Sequence, residues 1–151
     1  MATVNRERPG RVVGLLAAAL GSLAGANVAL LGLAFKPGTD DCRDSPALAL
    51  AARLLEEGAR VSAYDPLIQT VPGLDRRVGV CTAAEAALAG ADAAVVATAW
   101  PEFAALDWHA LTRAMRRRVI LDGRNALRGV ALPADTTYLR IGCRPEEPPR
   151  T

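Results

Sequence analysis

Histidine and cysteine are scarce in this chain, and their scarcity excludes most metal chemistry. His109 is the only histidine, and the three cysteines, Cys42, Cys81 and Cys143, show no C-x-x-C pair or other metal-ligand spacing. A zinc or iron site therefore has almost no nitrogen or sulfur ligands to draw on. An odd number of cysteines without a pairing pattern is typical of reduced thiols, so we expect a cytoplasmic protein.

Aromatic residues and net charge are low as well. Aromatics make up 4% of the 151 residues, and the formal net charge of +2 is too close to zero to predict binding to nucleic acid or to a membrane surface. Hydrophobic types make up 51%, which excludes a disordered chain, and the length suits one domain with a sizeable core. Among the 18 basic residues there is a single lysine, Lys36.

The N-terminal segment allows two interpretations. Arg6, Arg8 and Arg11 precede an apolar run, residues 12–26, that ends in small residues. This order is typical of a secretory signal peptide, and the run is too short to span a bilayer. The alternative is an amphipathic helix, with Pro9 near its start and Gly25 after its end, that leads directly into a buried strand.

Short apolar runs bounded by turn residues alternate with helical patterns along the rest of the chain. Strands are predicted at residues 28–33, 60–64, 78–81, 94–98, 119–121 and 137–141, and helices at 83–88, at 108–117 and from the N-cap Ser45 to Gly58. Continuous apolar strands that alternate with helices predict a parallel sheet with right-handed crossovers. The expected fold is α/β: a Rossmann-like, doubly wound, mostly parallel sheet of about five to six strands, preceded by an N-terminal helix.

The loop after the first predicted strand, GLAFKPGTDDCRDSPA, follows the carboxyl end of that strand, where such folds bind ligands. It lacks the G-x-G-x-x-G pattern with which a dinucleotide-binding loop brings its backbone close to a pyrophosphate. Lys36 and Arg43 suit phosphate instead, the first as a point charge and the second as a bidentate fork. On composition alone, a long polar turn with a helix cap at Ser45 is an equally good interpretation.

The stretch ALLGLAFKPGTDDCRDSPAL closely resembles the signature of the C-terminal, UDP-binding domain of the UDP-glucose/GDP-mannose dehydrogenase family. The segments GARVSAYDP, GADAAVVATAWPEF, VILDGRNAL and YLRIG follow in the family's order, so the resemblance covers nearly the whole chain. It implies that residues 1–26 are the end of the family's central, linker helix, that 27–143 form the UDP-sugar-binding domain and that 144–151 are a frayed tail. It also favours the helix over the signal peptide at the N-terminus.

The family that this chain resembles oxidises the C6 hydroxyl of a nucleotide sugar to a carboxylate in two NAD-dependent steps. It works through a cysteine in a cleft between two Rossmann-like domains. The resemblance implies that Phe35, Lys36 and Arg124 contact the UDP-sugar and that Arg43 reaches the pyrophosphate of NAD. Asn125 is an alternative to Arg124 as the aligned substrate contact.

The chain departs from the family because it has no NAD-binding half and no segment like the one that carries the catalytic cysteine. Cys42 lies inside the signature, in a different region from that cysteine, so we assign it no catalytic role. We therefore expect a nucleotide-sugar-binding domain of a dehydrogenase that is inactive alone. Two alternatives stay open: a stand-alone, non-catalytic module that binds a nucleotide sugar, and an unrelated exported domain that uses residues 12–26 as its signal.

The resemblance also implies partners. We expect a UDP-sugar, an NAD-binding catalytic domain or partner chain, and a homodimer formed through the central helix. The leading helix carries apolar side chains that we expect to be exposed and to seek a partner: Val12, Val13, Leu15, Leu16 and Leu20.

Four further side chains near predicted strand ends have simpler interpretations than ligand contact. Asp65 follows no glycine fingerprint, so it is predicted to form an Asp-Pro turn rather than to bind a ribose. Trp100 and Phe103 are expected to line the core or a loop. Asp122 is expected either to orient Arg124 or to shape its turn.

Overall fold

The computed structural model describes residues 2–34, 38 and 45–141, with side chains from Pro9 onward. Its elements in chain order are α1 (Ala2–Leu20), β1 (Asn27–Leu31), α2 (Pro46–Glu56), β2 (Arg60–Tyr64), β3 (Val78–Cys81), α3 (Ala84–Leu88), β4 (Ala93–Val96), α4 (Pro101–Ala104), α5 (Trp108–Ala114), β5 (Val119–Asp122) and β6 (Thr137–Arg140). The predicted strands at 60–64 and 78–81 match β2 and β3 residue for residue. The other four differ from prediction by one or two residues at their ends.

All six strands pair in parallel, in the order β3-β2-β1-β4-β5-β6. The chain winds outward from β1 to β3, returns to place β4 beside β1, and continues outward to β6. The topological switch point therefore lies between β1 and β4, where Leu31 pairs with Val96. The predicted fold is confirmed, and a sheet of this order opens its ligand-binding crevice at the carboxyl ends beside the switch point.

The central strands are buried on both faces because helices cover the sheet on each side. Side chains alternate along a strand, so Val28 and Leu30 of β1 enter one core with α1 and α2. Ala29 and Leu31 enter the other core, with α3, α4 and α5. This burial on two faces is the reason why the strands appear in the sequence as continuous apolar runs.

Helix α2 begins and ends where the sequence predicts. The Oγ of Ser45 accepts a hydrogen bond from the N–H of Ala47 (3.2 Å), and Pro46 follows in the first turn, where a missing N–H costs nothing. After its end, Gly58 adopts a φ of 88° and donates its N–H to Leu55 O. One face of the helix is buried against the sheet and α1: Ala47, Leu50, Ala51, Leu54 and Leu55.

Helix α1 corrects two expectations. It starts at Ala2 and ends at Leu20 rather than near Gly25, because Gly21 leaves the helix with a φ of 85°. Its apolar residues are not exposed: Val12, Val13, Leu16 and Leu20 are buried in the core and Leu15 is half-buried. The apolar face of α2 covers them, so they give no argument for a partner. None of the helices within residues 2–34 and 45–141 combines the length and the apolarity needed to cross a bilayer.

The segment between β4 and β5 differs most from prediction, because it holds two short helices where one was expected at 108–117. Helix α4 begins at Pro101, whose ring suits a first turn. The carboxylate of Asp107 caps α5 by accepting the N–H of Ala110 (3.1 Å). The helix ends early because Met115 has extended backbone, with φ −81° and ψ 149°.

Candidate functional site

The strands β2, β1, β4 and β5 lie side by side, and the loops after their carboxyl ends form one edge of the sheet, here called the switch-point edge. Polar side chains are buried along it: Ser45, Asp65, Thr98 and Asp122 are each at most 3% exposed. A buried polar group is tolerated only when it is hydrogen-bonded. Their partners therefore define how the edge is built.

Asp65, directly after β2, accepts five hydrogen bonds. Its Oδ2 accepts the N–H groups of Leu33 (2.8 Å) and Ala34 (3.0 Å) and the indole Nε1–H of Trp100 (3.3 Å). Its Oδ1 accepts the N–H groups of residues 67 and 68 at 2.8 and 3.1 Å, which is the turn that the sequence predicts. The carboxylate thus joins the exit of β1 to the exit of β2, and its lone pairs are occupied within the chain.

The backbone of Ala34 is held at both its N–H and its carbonyl oxygen. Its N–H donates to Asp65, and its carbonyl oxygen accepts Oγ1–H of Thr98 (2.9 Å) and Oγ–H of Ser45 (3.3 Å). Because Ser45 also caps α2, the start of that helix is joined to the exit of β1. Three buried side chains from three segments therefore fix the residue that precedes Phe35 in the chain.

Gly32 allows the exits of β1 and β4 to approach closely. Its φ is 101°, and a Cβ at this position would lie 2.5 Å from both Cβ and Oγ1 of Thr98 and 2.8 Å from the Thr98 nitrogen. Only glycine fits such a contact in this backbone conformation. The glycine therefore serves packing within the chain.

Asp122, at the end of β5, shapes the turn that carries Arg124. Its Oδ1 accepts the N–H groups of Arg124 (3.1 Å) and Ala126 (2.9 Å). Its Oδ2 accepts the N–H of Leu127 (2.8 Å) and the hydroxyl of Tyr138 (2.7 Å). Of the two roles expected for Asp122, turn formation is the one that these contacts bear out.

A small, open and mostly apolar cleft lies beside Arg124. Helices α1 and α2 and the ends of β4 and β5 line it: Pro9, Val12, Pro46, Ala47, Leu50, Val95, Val96, Ala97, Gly123 and Arg124. Arg124 is half-buried and brings the positive charge of this lining. Asn125 is exposed, has left-handed backbone with a φ of 57°, and is not part of the described lining, so the geometry favours Arg124 as the cleft residue.

Tyr64 joins the end of β2 to α4. Its hydroxyl donates to Oε2 of Glu102 (2.8 Å), and burial together with that carboxylate raises the pKa of Tyr64 to about 12. Its ring lies 6.3 Å from the ring of Phe103, which is fully buried. Trp100 is half-buried with its indole N–H on Asp65, so both predicted aromatics have structural contacts.

One of the four predicted ligand contacts falls within the described residues. Arg124 lies at the switch-point edge, whereas Phe35, Lys36 and Arg43 lie outside the described residues, as does Cys42. In the part of the chain that the structure describes, no three His, Cys, Asp or Glu side chains are grouped so that they could hold a metal ion.

Thr98 is the residue that sequence reasoning missed. A hydroxyl side chain two residues after an apolar strand is a weak signal of a buried polar group. No pattern in the sequence relates it to Ala34, which is 64 positions away. The contact follows from the sheet order, which places β1 and β4 side by side.

Residues 29–129 match the family model described as the UDP binding domain of the UDP-glucose/GDP-mannose dehydrogenase family. The chain is 48% identical over 126 residues to UDP-glucose 6-dehydrogenase AglM of Haloferax volcanii, and 45% identical over 130 residues to a UDP-glucose 6-dehydrogenase of Rhizobium meliloti. These matches cover 80% and 82% of this chain and 28% of each relative.

A solved structure, that of the UDP-D-ManNAc dehydrogenase of Pyrococcus horikoshii, matches with a TM-score of 0.77 and 36% identity. The match covers 89% of this chain and 30% of that one. The chain thus spans less than a third of the length of each of these proteins.

Proposed function

The chain belongs to the UDP-glucose/GDP-mannose dehydrogenase family, as a UDP binding domain, and from this premise we propose that it binds the UDP part of a nucleotide sugar. The strongest support is where the family match falls. Residues 29–129 contain the exits of β1, β2, β4 and β5, which together form the switch-point edge. Ligands of doubly wound sheets bind in the crevice at this edge.

In this proposal the cations of the edge bind the diphosphate. Lys36 and Arg124 neutralise its charge, and Phe35 lies against the nucleotide sugar. The half-buried position of Arg124 at an apolar cleft supports its role, because a charge interaction gains strength where water is partly excluded.

For the full-length dehydrogenase we propose oxidation of the C6 hydroxyl of a UDP-glucose-type sugar to a carboxylate, with NAD accepting hydride. The residues present here do not fit a dinucleotide cradle of their own. The loop after β1 lacks the glycine fingerprint, and the lone pairs of Asp65 are occupied. We therefore assign NAD mainly to the rest of the protein, with Arg43 as the contact that this chain contributes, and expect the chain alone to be inactive.

We also propose a cytoplasmic protein that dimerises through its central helix. The dimer now rests on the family resemblance alone, because the apolar residues of α1 pack within the chain.

Isothermal titration calorimetry of the 151-residue chain with UDP tests the binding proposal. We expect one weak site, since phosphates that stay partly in water gain little from charge pairs. Lys36→Ala and Arg124→Ala should each weaken UDP binding at least about tenfold, because a hydrogen bond to a charged group contributes at least about 1.5 kcal/mol. Added salt should weaken binding further.

Arg113→Ala is a matched control for Arg124→Ala. Arg113 is exposed in the last turn of α5, which leads to the amino end of β5, at the opposite edge of the sheet. This variant should bind UDP like the wild type. No heat with either UDP or UDP-glucose would refute the proposal, and equal binding of GDP would contradict the assignment to uridine nucleotides.

A further inference from the structure

We propose that three buried side chains position the nucleotide-binding loop without touching the nucleotide. They are Asp65, Thr98 and Ser45, here called the Ala34 anchor because all three bond to the backbone of that residue. The inference rests on the proposed function, because it concerns how the chain just before Lys36 is held for UDP.

The anchor saturates the hydrogen-bonding groups of one residue. The N–H of Ala34 has one partner and its carbonyl oxygen has two, which is the full capacity of a backbone unit. The three side chains are 2%, 0% and 3% exposed. Burying three polar side chains around the backbone of one residue is costly unless every group is paired, and apolar residues would fill the same space without that cost.

Holding the sheet together does not require the anchor. Strand β1 is already paired along its length with β2 and with β4 through backbone hydrogen bonds. The anchor acts after the last paired residue of β1. There Gly32 donates its N–H to Tyr64 O (2.7 Å), Leu33 donates to Asp65, and Ala34 is bonded on both sides.

Three consecutive residues after β1 are therefore fixed, and the chain enters the loop from a defined position. Lys36 follows two residues later in the sequence, and in this proposal its contribution to UDP binding depends on how firmly Ala34 is held. A loop held in its binding geometry before the ligand arrives avoids part of the ordering cost of binding. Loosening the anchor should thus weaken UDP binding more than it weakens the fold.

Thr98→Val tests this with little change of shape, since it replaces the hydroxyl that donates to Ala34 O by a methyl group. Thr98→Ser keeps the hydroxyl and removes the methyl group. Thr112→Val is the matched control: Thr112 is also 0% exposed, and its hydroxyl donates to a carbonyl oxygen, that of Trp108 (2.7 Å), within α5.

We expect all three variants to lower the melting temperature to a similar extent, because each loses one buried hydrogen bond or one buried methyl group. UDP affinity, measured by calorimetry, should fall about fivefold in Thr98→Val, the equivalent of about one hydrogen bond. It should stay within about twofold of the wild type in the other two. A folded Thr98→Val variant that binds UDP like the wild type would overturn the inference, as would an equal loss in Thr98→Ser.

Ser45→Ala removes the other hydroxyl on the same carbonyl oxygen and replaces Thr98→Val if that variant does not fold. Amide hydrogen exchange at Ala34 measures the anchor without any nucleotide. The N–H of Ala34 donates to Asp65, so its exchange should accelerate in Thr98→Val only because loss of the bond to the carbonyl oxygen loosens the same residue. It should not accelerate in Thr112→Val, and unchanged exchange in Thr98→Val would overturn the anchor. A wild-type chain that shows this protection but gives no heat with UDP would refute the proposed function, and with it the role of the anchor in binding.

Discussion

Replacing Gly32 by alanine tests the contact between the exits of β1 and β4. The new Cβ would lie 2.5 Å from two side-chain atoms of Thr98, in a backbone with a φ of 101°. Gly90 provides a matched control, because its φ is 73° and a Cβ there would meet nothing within 4 Å. Both variants place a methyl group in left-handed backbone, and only Gly32→Ala adds a collision.

The cost of the left-handed backbone can be separated from the cost of the collision with Thr98. Left-handed backbone costs alanine about 1–2 kcal/mol at either position. Overpacking adds about 1–3 kcal/mol at Gly32, and the Thr98 nitrogen, 2.8 Å away, belongs to the backbone and cannot rotate aside. We therefore expect a loss of about 2–5 kcal/mol for Gly32→Ala against about 1–2 kcal/mol for Gly90→Ala.

Thermal unfolding followed by circular dichroism measures this difference. For a domain of this size, Gly32→Ala should melt about 2–12 °C below Gly90→Ala. Thr98→Gly removes the two side-chain atoms that collide, so Gly32→Ala should cost less in that background. Equal melting temperatures of the two alanine variants would refute the close approach. An undiminished cost of Gly32→Ala in the Thr98→Gly background would contradict the partner that we assign to it.

Two further predictions concern the edges of the fold. Because burial and Glu102 raise the pKa of Tyr64 to about 12, its contribution to stability should be complete below about pH 10 and be lost as the pH rises through about 12. The alkaline absorbance titration of the wild type minus that of Tyr64→Phe measures this ionisation. A titration midpoint near pH 10 would contradict the combined effect of burial and Glu102 on the pKa of Tyr64. The guanidinium of Arg117 donates to two carbonyl oxygens in the last turn of α1 at 2.9 and 3.2 Å, so Arg117→Met should lower the free energy of unfolding by about 1 kcal/mol in urea. Arg113→Met, at an exposed arginine of α5, should change it by less than about 0.5 kcal/mol, and equal effects would disprove the cap.

The sheet could be predicted from the sequence because its information is local. A strand covered on both faces needs consecutive apolar residues, and β1, β4 and β5 each present such a run between turn residues. The cap of α2 is local too, since Ser45 and Pro46 are adjacent in the chain. Short helices are harder to predict. Helix α4 has four residues, too few for a clear periodicity, and only Pro101 indicates where it starts.

The hydrogen bonds of the site could not be predicted, because they join residues that only the topology brings together. Asp65 and Leu33 are 32 positions apart, and Thr98 and Ala34 are 64 apart. The prediction that the apolar residues of α1 are exposed fails for the same reason, because only the tertiary structure places α2 against them. The family resemblance pointed to the loop after β1 and to Arg124 as ligand contacts. It did not indicate that Asp65, Thr98 and Asp122 bond to the backbone at these places.

Two carboxylates, those of Asp65 and Asp122, lie at an edge that is proposed to bind a diphosphate, and their negative charge should repel it. Their hydrogen bonds reduce this repulsion. Asp122 accepts three backbone N–H groups and a hydroxyl, and Asp65 accepts four backbone N–H groups and an indole N–H. These donors offset the negative charge, so the carboxylates organise the loops and leave the cations for phosphate. In a dinucleotide-binding fold of the same strand order, an acid about 20 residues beyond the glycine loop binds a ribose. Here Gly32, with its φ of 101°, turns the chain after β1 so that the next two N–H groups meet Asp65, and that carboxylate is occupied before any ligand arrives.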